Sequence, residues 1–324
     1  FFLGPPLPRN GAAIAAKRVE LAEFRPMKRV EFGICGLDVT VPREALKDLF
    51  QAPDGCALEA VAAFQLAYQG YPWNPAKGYE SRSDTKHRRY ENGETYPAWY
   101  EIEEIIAALP HGTKISFHLN DSSECRYVSS LLQGESEALR LVQLLCQRYK
   151  ARHIQVNISS RGVAPDLFMP SARGSWEKSA SCLVQLAEMY PETLFLVPVF
   201  QRGDIDSLPF LQLVLDMSKR TMSNLLAFFD NSAGEGVEPS RIPDIPPGYP
   251  AGGPIGFAGG IRAENVKEWL SKYHSKAAAA GCWAICDAQS GFRKKGNRGE
   301  PIDLEELKKL LQQAFEWGSL LAGA

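Results

Sequence analysis

The chain has 324 residues, 45% hydrophobic and 23% charged, with a formal net charge of -2 and a pI of about 6.3. That balance supplies a large apolar core and carries no broad basic field, so neither nucleic acid nor an anionic membrane surface is expected as a partner. No apolar run reaches the ~18 residues a membrane span needs. The seven cysteines are scattered without a CxxC pair, which favours free thiols in a reducing compartment over a disulfide framework or a zinc site, so no metal is expected.

Residues 1–26 are rich in Pro, Gly and Ala and read as an N-terminal extension. A loosely packed tail on a cytoplasmic protein is the expectation, and the remnant of an organellar targeting segment is the alternative. Residues 27–324 carry the fold. Residues 29–36 predict a strand and 43–50 a helix. Residues 57–68 fit a helix, or a helix end running into a strand, and periodicity alone does not decide. Residues 69–99 are polar, aromatic and charged, and predict a long loop. A helix over 99–109 ends at Pro110-His111-Gly112.

From there the pattern is regular. Strands are expected at 114–119, 153–158, 193–200, 224–230, 255–261 and 282–287. Helices are expected within 129–149 and at 176–189, 208–219, 263–274 and 304–317, with a Pro/Gly-rich loop over 231–254. The later strands are almost continuously apolar, as parallel strands covered on both faces should be. Six strands from Lys114 onward, with two more near Glu31 and Ala63, make eight. The expected fold is a single-domain (β/α)8 TIM barrel with a long loop after the second strand, and a doubly wound open sheet is its rival.

Chemistry-bearing residues cluster at the expected strand ends. Gly259 and Gly260 sit between a strand and a helix, where backbone amides and the helix dipole suit an anion. Ser290 and Gly291, with Arg293 beyond them, fall one βα unit later, where the last two loops of a barrel share a phosphate. A tight turn that needs glycine for its geometry accounts for the same residues. Asp230 ends an apolar strand, a place suited to proton transfer and also to a loop cap. Cys35 ends the first strand, as a base or as a core thiol. His118, Asn120, Gln155 and Asn157 are further polar groups at strand ends, candidates for substrate contact or for satisfied structural roles. Cys282 and Cys286 read as buried thiols rather than a ligand pair.

Four blocks resemble the phosphoribosylanthranilate isomerase family. They are Met27-Lys28-Arg29-Val30 through Ile34-Cys35-Gly36-Leu37, then Phe229-Asp230 with the glycines after it, Ala258-Gly259-Gly260-Ile261 through Glu264-Asn265-Val266, and Asp287 through Ser290-Gly291. The resemblance implies a cofactor-free Amadori rearrangement of a phosphorylated aminoribose. Asp230 would be the general acid that opens the ribose ring, and Cys35 the base that takes the C2 proton. Amides at Gly259, Gly260, Ser290 and Gly291 would hold the phosphate. The family's QLHG block is Gln155-Val156-Asn157-Ile158 here, and Asp38 follows Leu37 where the family usually has Thr. The alternative is a repurposed, non-catalytic barrel that binds another phosphorylated small molecule.

Overall fold

The computed structural model describes residues 29–66, 97, 99–121, 127–158, 175–202, 205–218, 224–230, 238–296 and 300–323. The expectations for residues 1–26 and for most of the loop at 69–99 lie outside them. Eight parallel strands close a barrel in chain order: β1 (Val30–Cys35), β2 (Leu58–Leu66), β3 (Lys114–Leu119), β4 (His153–Val156), β5 (Leu194–Val199), β6 (Leu225–Asp230), β7 (Pro254–Ala258) and β8 (Trp283–Ala288). Strand β8 pairs with β1, with Asp287 opposite Gly33, and that contact closes the circle. The fold is a (β/α)8 barrel. Within residues 57–68, Leu58–Leu66 is therefore strand rather than helix: the inward Glu59, Val61, Ala63 and Gln65 alternate with the outward Leu58, Ala60, Ala62, Phe64 and Leu66.

The helices are α1 (Arg43–Leu49), α2 (Trp99–Ala108), α3 (Tyr127–Leu132), α4 (Ser136–Gln147), α5 (Trp176–Met189), α6 (Leu208–Met217), α7 (Val266–Ala279) and α8 (Leu304–Gly323). The single helix expected within 129–149 is two, because Gly134 stops the first. Its φ of 74° is left-handed, and the bonds Gly134 N–H to Leu131 C=O and Glu135 N–H to Ser130 C=O form a Schellman cap. Helix α8 shows why the amphipathic pattern holds: Leu307, Leu310, Leu311, Ala314 and Phe315 are buried at helical spacing. Each fully buried leucine among them contributes about 1.5–3 kcal/mol over exposure.

The pleat sorts the side chains into two sets. Outward residues such as Val30, Phe32, Ile34, Phe195, Phe257 and Cys286 pack under the helices. Inward residues split across the barrel. Leu194, Leu196, Leu226, Phe228, Trp283 and Ile285 make an apolar half, and a glycine lets it fill: a Cβ at Gly256 would lie 2.2 Å from the Phe228 ring. The β1–β4 half is polar at both ends, with Val61 and Ala63 between. At its N-terminal end Glu31, fully buried, meets His153 Nε2 at 2.5 Å, Arg29 at 2.7 Å, Lys114 at 2.8 Å and Arg152 at 3.0 Å. Burial pushes the Glu31 carboxyl up, but the His153 bond and the Lys114 and Arg152 charges overcome it and hold it well below the usual range.

Among the described residues no helix covers the crossover from β6 to β7. Tyr249 stitches it instead. Its hydroxyl accepts from Ala227 N–H at 3.0 Å and donates to Pro254 C=O at 3.0 Å, below the first β6–β7 pair, Phe228 with Gly256. Burial pushes its phenol far up, so it stays a neutral donor. Tyr249→Phe should lower unfolding free energy by ~1–3 kcal/mol, because both backbone groups lose a buried partner. Urea denaturation reads this directly, and an unchanged midpoint would refute the stitch.

Candidate active site

The C-terminal mouth of the barrel collects the polar strand ends. Cys35 occupies an inward position on β1 and is 2% exposed. Its Sγ lies 3.2 Å from His118 Nδ1 and accepts from Gln65 Nε2 at 2.9 Å. On the other side of the ring, His118 Nε2 is 3.4 Å from Asp287 Oδ2. The imidazole therefore stands between a thiol and a carboxyl, each on its own ring nitrogen. Gly33 makes this possible, since a Cβ there would sit 1.9 Å from Asp287 Oδ1.

A row of amides leads to the same sulfur. Asn157 Nδ2 donates to Asn120 Oδ1 at 2.7 Å, and Asn120 Nδ2 donates to Gln65 Oε1 at 2.5 Å. Asn120 Nδ2 also donates to the His118 carbonyl at 3.0 Å, and a carbonyl only accepts. That one bond fixes the direction of the whole row: every amide donates toward Cys35. Gln155 lies beside His118 in the β3–β4 register, and its buried Oε1 has no partner among the described residues.

Two carboxyls face the mouth from the far side. Asp230 on β6 and Asp287 on β8 flank Ala258 of β7 in register. Burial, and then the Asp230 charge, push Asp287 up to about 7. A carboxyl poised there is suited to proton exchange near neutral pH.

The loops after β7 and β8 touch: a Cβ at Gly291 would lie 2.1 Å from the Ile261 carbonyl. Gly259 and Gly260 have φ of 119° and 61°, which favour glycine. The Glu238 backbone covers Gly260, and Asn265 ties the turn by donating to Gly260 C=O at 3.0 Å and accepting from Arg262 N–H at 2.8 Å. That tie delays the helix to Val266, three residues later than expected. Ser290 is buried, and its carbonyl accepts from Arg293 N–H at 3.0 Å.

Arg293 is committed elsewhere. Buried, it reaches Asp38 Oδ2 through both terminal nitrogens at 3.2 Å, and it also donates to the Gly36 carbonyl and, at 2.7 Å, to Glu300 C=O. This clamp ties the β1 loop to the β8 loop and gives Asp38 a structural task. Cys286 and Cys282 stay structural, since burial raises both thiols, Cys282 to about 11.

The structure thus brings Cys35, His118 and Asn157 into one bonded array, with Gln155 beside it. It places Asp230 across the mouth and the four glycine-loop residues in two touching turns. Sequence reasoning missed Gln65 and Asp287 as members of the array. Each is a polar residue at the inward position of an apolar strand, and that was the available signal. Cys35, His118 and Asp287 also bring potential metal-ligating atoms within 4.8 Å of one another.

Fold and site together define a (β/α)8 barrel with a Cys–His–Asp array at its C-terminal mouth, the end where barrel enzymes work. No family model matches the chain, and no curated protein matches it. Among solved structures, D-psicose 3-epimerase from Clostridium cellulolyticum H10, solved with D-tagatose, is 12% identical with a TM-score of 0.45, over 91% of this chain and 99% of that one. The carboxyl transferase domain of Rhizobium etli pyruvate carboxylase is 10% identical with a TM-score of 0.39, over 92% of this chain and 49% of that one. Likenesses this distant say nothing about activity. No helix among the described residues is long and apolar enough to cross a membrane.

Proposed function

We propose that the chain is an aldose–ketose isomerase that rearranges a phosphorylated aminoribose, phosphoribosylanthranilate in the first instance. The observation that carries this reading is Cys35 facing into the mouth with its sulfur held by Gln65 and His118, at the same end of the barrel as Asp230. In this reading Asp230 protonates the ring oxygen as the sugar opens, and Cys35 takes the proton from C2. The two touching turns at Gly259-Gly260 and Ser290-Gly291 hold the phosphate through backbone amides, since Arg293 is engaged by Asp38, Gly36 and Glu300. Binding energy gathered at the phosphate fixes the reacting carbons between acid and base.

The test is an isomerase assay in which phosphoribosylanthranilate is generated in place and its fluorescence loss is followed. Turnover is expected, and Asp230→Asn should reduce it by ~10²- to 10⁴-fold with the fold intact. A folded protein without turnover, yet stabilised against heat by ribose 5-phosphate, would replace this reading with a non-catalytic phosphosugar binder.

A further inference from the structure

The isomerase reading gives Cys35 a task but leaves His118 and Asp287 without one. We propose that Asp287 and His118 are positioning residues that hold Cys35 as a thiolate beside an imidazolium, so that the barrel mouth carries an already ionised base. This deepens the isomerase reading and rests on it only for its consequence in turnover.

The argument begins with the ring. Its two nitrogens face different partners, sulfur at 3.2 Å from Nδ1 and carboxyl oxygen at 3.4 Å from Nε2. Only the imidazolium carries a proton on both nitrogens, so it alone can donate to the sulfur while its charge faces the carboxyl oxygen, a contact at 3.4 Å that is an ion pair rather than a hydrogen bond. The proton balance is internal. The S–H bond of Cys35 breaks, an N–H bond forms on Nδ1, and the positive ring is left between the thiolate and the Asp287 carboxyl. Nothing is oxidised or reduced, and no further reactant is needed.

The amide row points the same way. Gln65 donates to the sulfur at the end of a chain that runs from Asn157 through Asn120, with its direction set by the His118 carbonyl. A thiol is a weak acceptor and a thiolate a strong one, so donors converging on Sγ favour the charged form.

Among the described residues at this level, the imidazolium is the balancing charge. At this level β2 and β4 bring Gln65 and Gln155, β5 brings Pro198 and β7 brings Ala258, none of them titratable. Strand β6 brings Asp230 and β8 brings Asp287, both acidic. The Arg293 cation nearby is paired with Asp38. Burial and Asp230 raise Asp287, so its ionised form gains from a cation at Nε2. The three ligand atoms lie within 4.8 Å of one another, but a zinc ion would take one ring nitrogen and need both sulfur and oxygen to reach it on that side, whereas here they face different nitrogens.

The experiment is a thiolate titration by ultraviolet difference absorbance, each protein read against its own Cys35→Ala counterpart. Wild type should show Cys35 thiolate at neutral pH. His118→Gln should move its appearance to clearly more alkaline pH, and Asp287→Asn should move it part of the way. The acid limb of the kcat profile should move in parallel while KM changes little. In the unsubstituted protein, alkylation of Cys35 by iodoacetamide, read by peptide mass spectrometry, should be nearly independent of pH above neutrality. This covers the case in which a variant fails to fold.

A titration unchanged in His118→Gln overturns the proposal even if the enzyme turns over. So does alkylation that climbs with pH like that of an ordinary thiol, or zinc that co-purifies in stoichiometric amount and is lost with Cys35→Ala. A shifted titration without turnover supports the proposal and removes the isomerase reading instead.

Discussion

Cys35→Ala is expected to lower kcat/KM for phosphoribosylanthranilate by ~10²- to 10⁴-fold, the range for a lost general base, while the barrel stays folded. The side chain is buried, but its removal takes away only one sulfur, and the outward face of β1 keeps Val30, Phe32 and Ile34 under the helices. The cost in stability is therefore small beside the cost in rate. Alanine also leaves Gln65 Nε2 and His118 Nδ1 without the sulfur they face. For that reason Cys35→Ser is a useful companion, because a hydroxyl restores those contacts but is a far poorer base at neutral pH. Both variants should lose turnover, with kcat falling more than KM rises, since the sulfur acts on the developing transition state rather than on the bound phosphate. Wild-type rates in Cys35→Ala, from protein with native circular dichroism, would end the acid–base assignment.

Glu31→Gln should cost about 3 kcal/mol of folding stability with little change in activity. It lies at the N-terminal end of the barrel, away from the mouth, where side chains serve stability. The substitution keeps the shape and removes the charge, leaving His153 and Arg152 without the carboxylate they face, while Arg29 and Lys114 keep Glu59. Breaking a buried ion pair by removing one partner costs ~3–5 kcal/mol. The lower end applies because Lys114, Arg152 and Arg29 are partly solvated, whereas His153 is not.

The pH dependence of that loss has a definite sign. The folded carboxyl titrates well below its ordinary value of 4.5. Below that value the unfolded chain takes up a proton that the folded protein refuses. The contribution is thus complete above the ordinary carboxylate range and is lost as the pH falls through and beneath it. Urea unfolding of wild type and Glu31→Gln should show a full gap at neutral pH that narrows steadily on the acid side. A gap independent of pH would mean that packing, not charge, makes the difference.

Particular residues show where the sequence was legible. The run from β3 to β8 is readable because parallel strands covered on both faces must be apolar, and because Gly and Pro punctuate each unit. Strand β2 is not readable that way. Its alternation puts Ala on both faces, so period alone leaves helix and strand level, and only pairing with β1 and β3 decides. The break at Gly134 was visible as a glycine, but its meaning depended on a left-handed φ and two cap bonds. Arg293 looked like a free cation beside an anion site. Its partner Asp38 is 255 residues away in the chain, so nothing local could report the clamp.

What the sequence determined by itself is the run of strands and helices from β3 onward, the parallel class and the residues standing at the strand ends, because these follow from local period and composition. What the tertiary structure decided is which of those residues meet. Closing β8 onto β1 sets Asp287 over Gly33, and the inward pleat of β1, β2 and β3 brings Cys35, Gln65 and His118 within hydrogen-bond reach. The inward set of each strand is a matter of register, and a shift by one residue would have turned Cys35 into the wall and left the mouth without its sulfur.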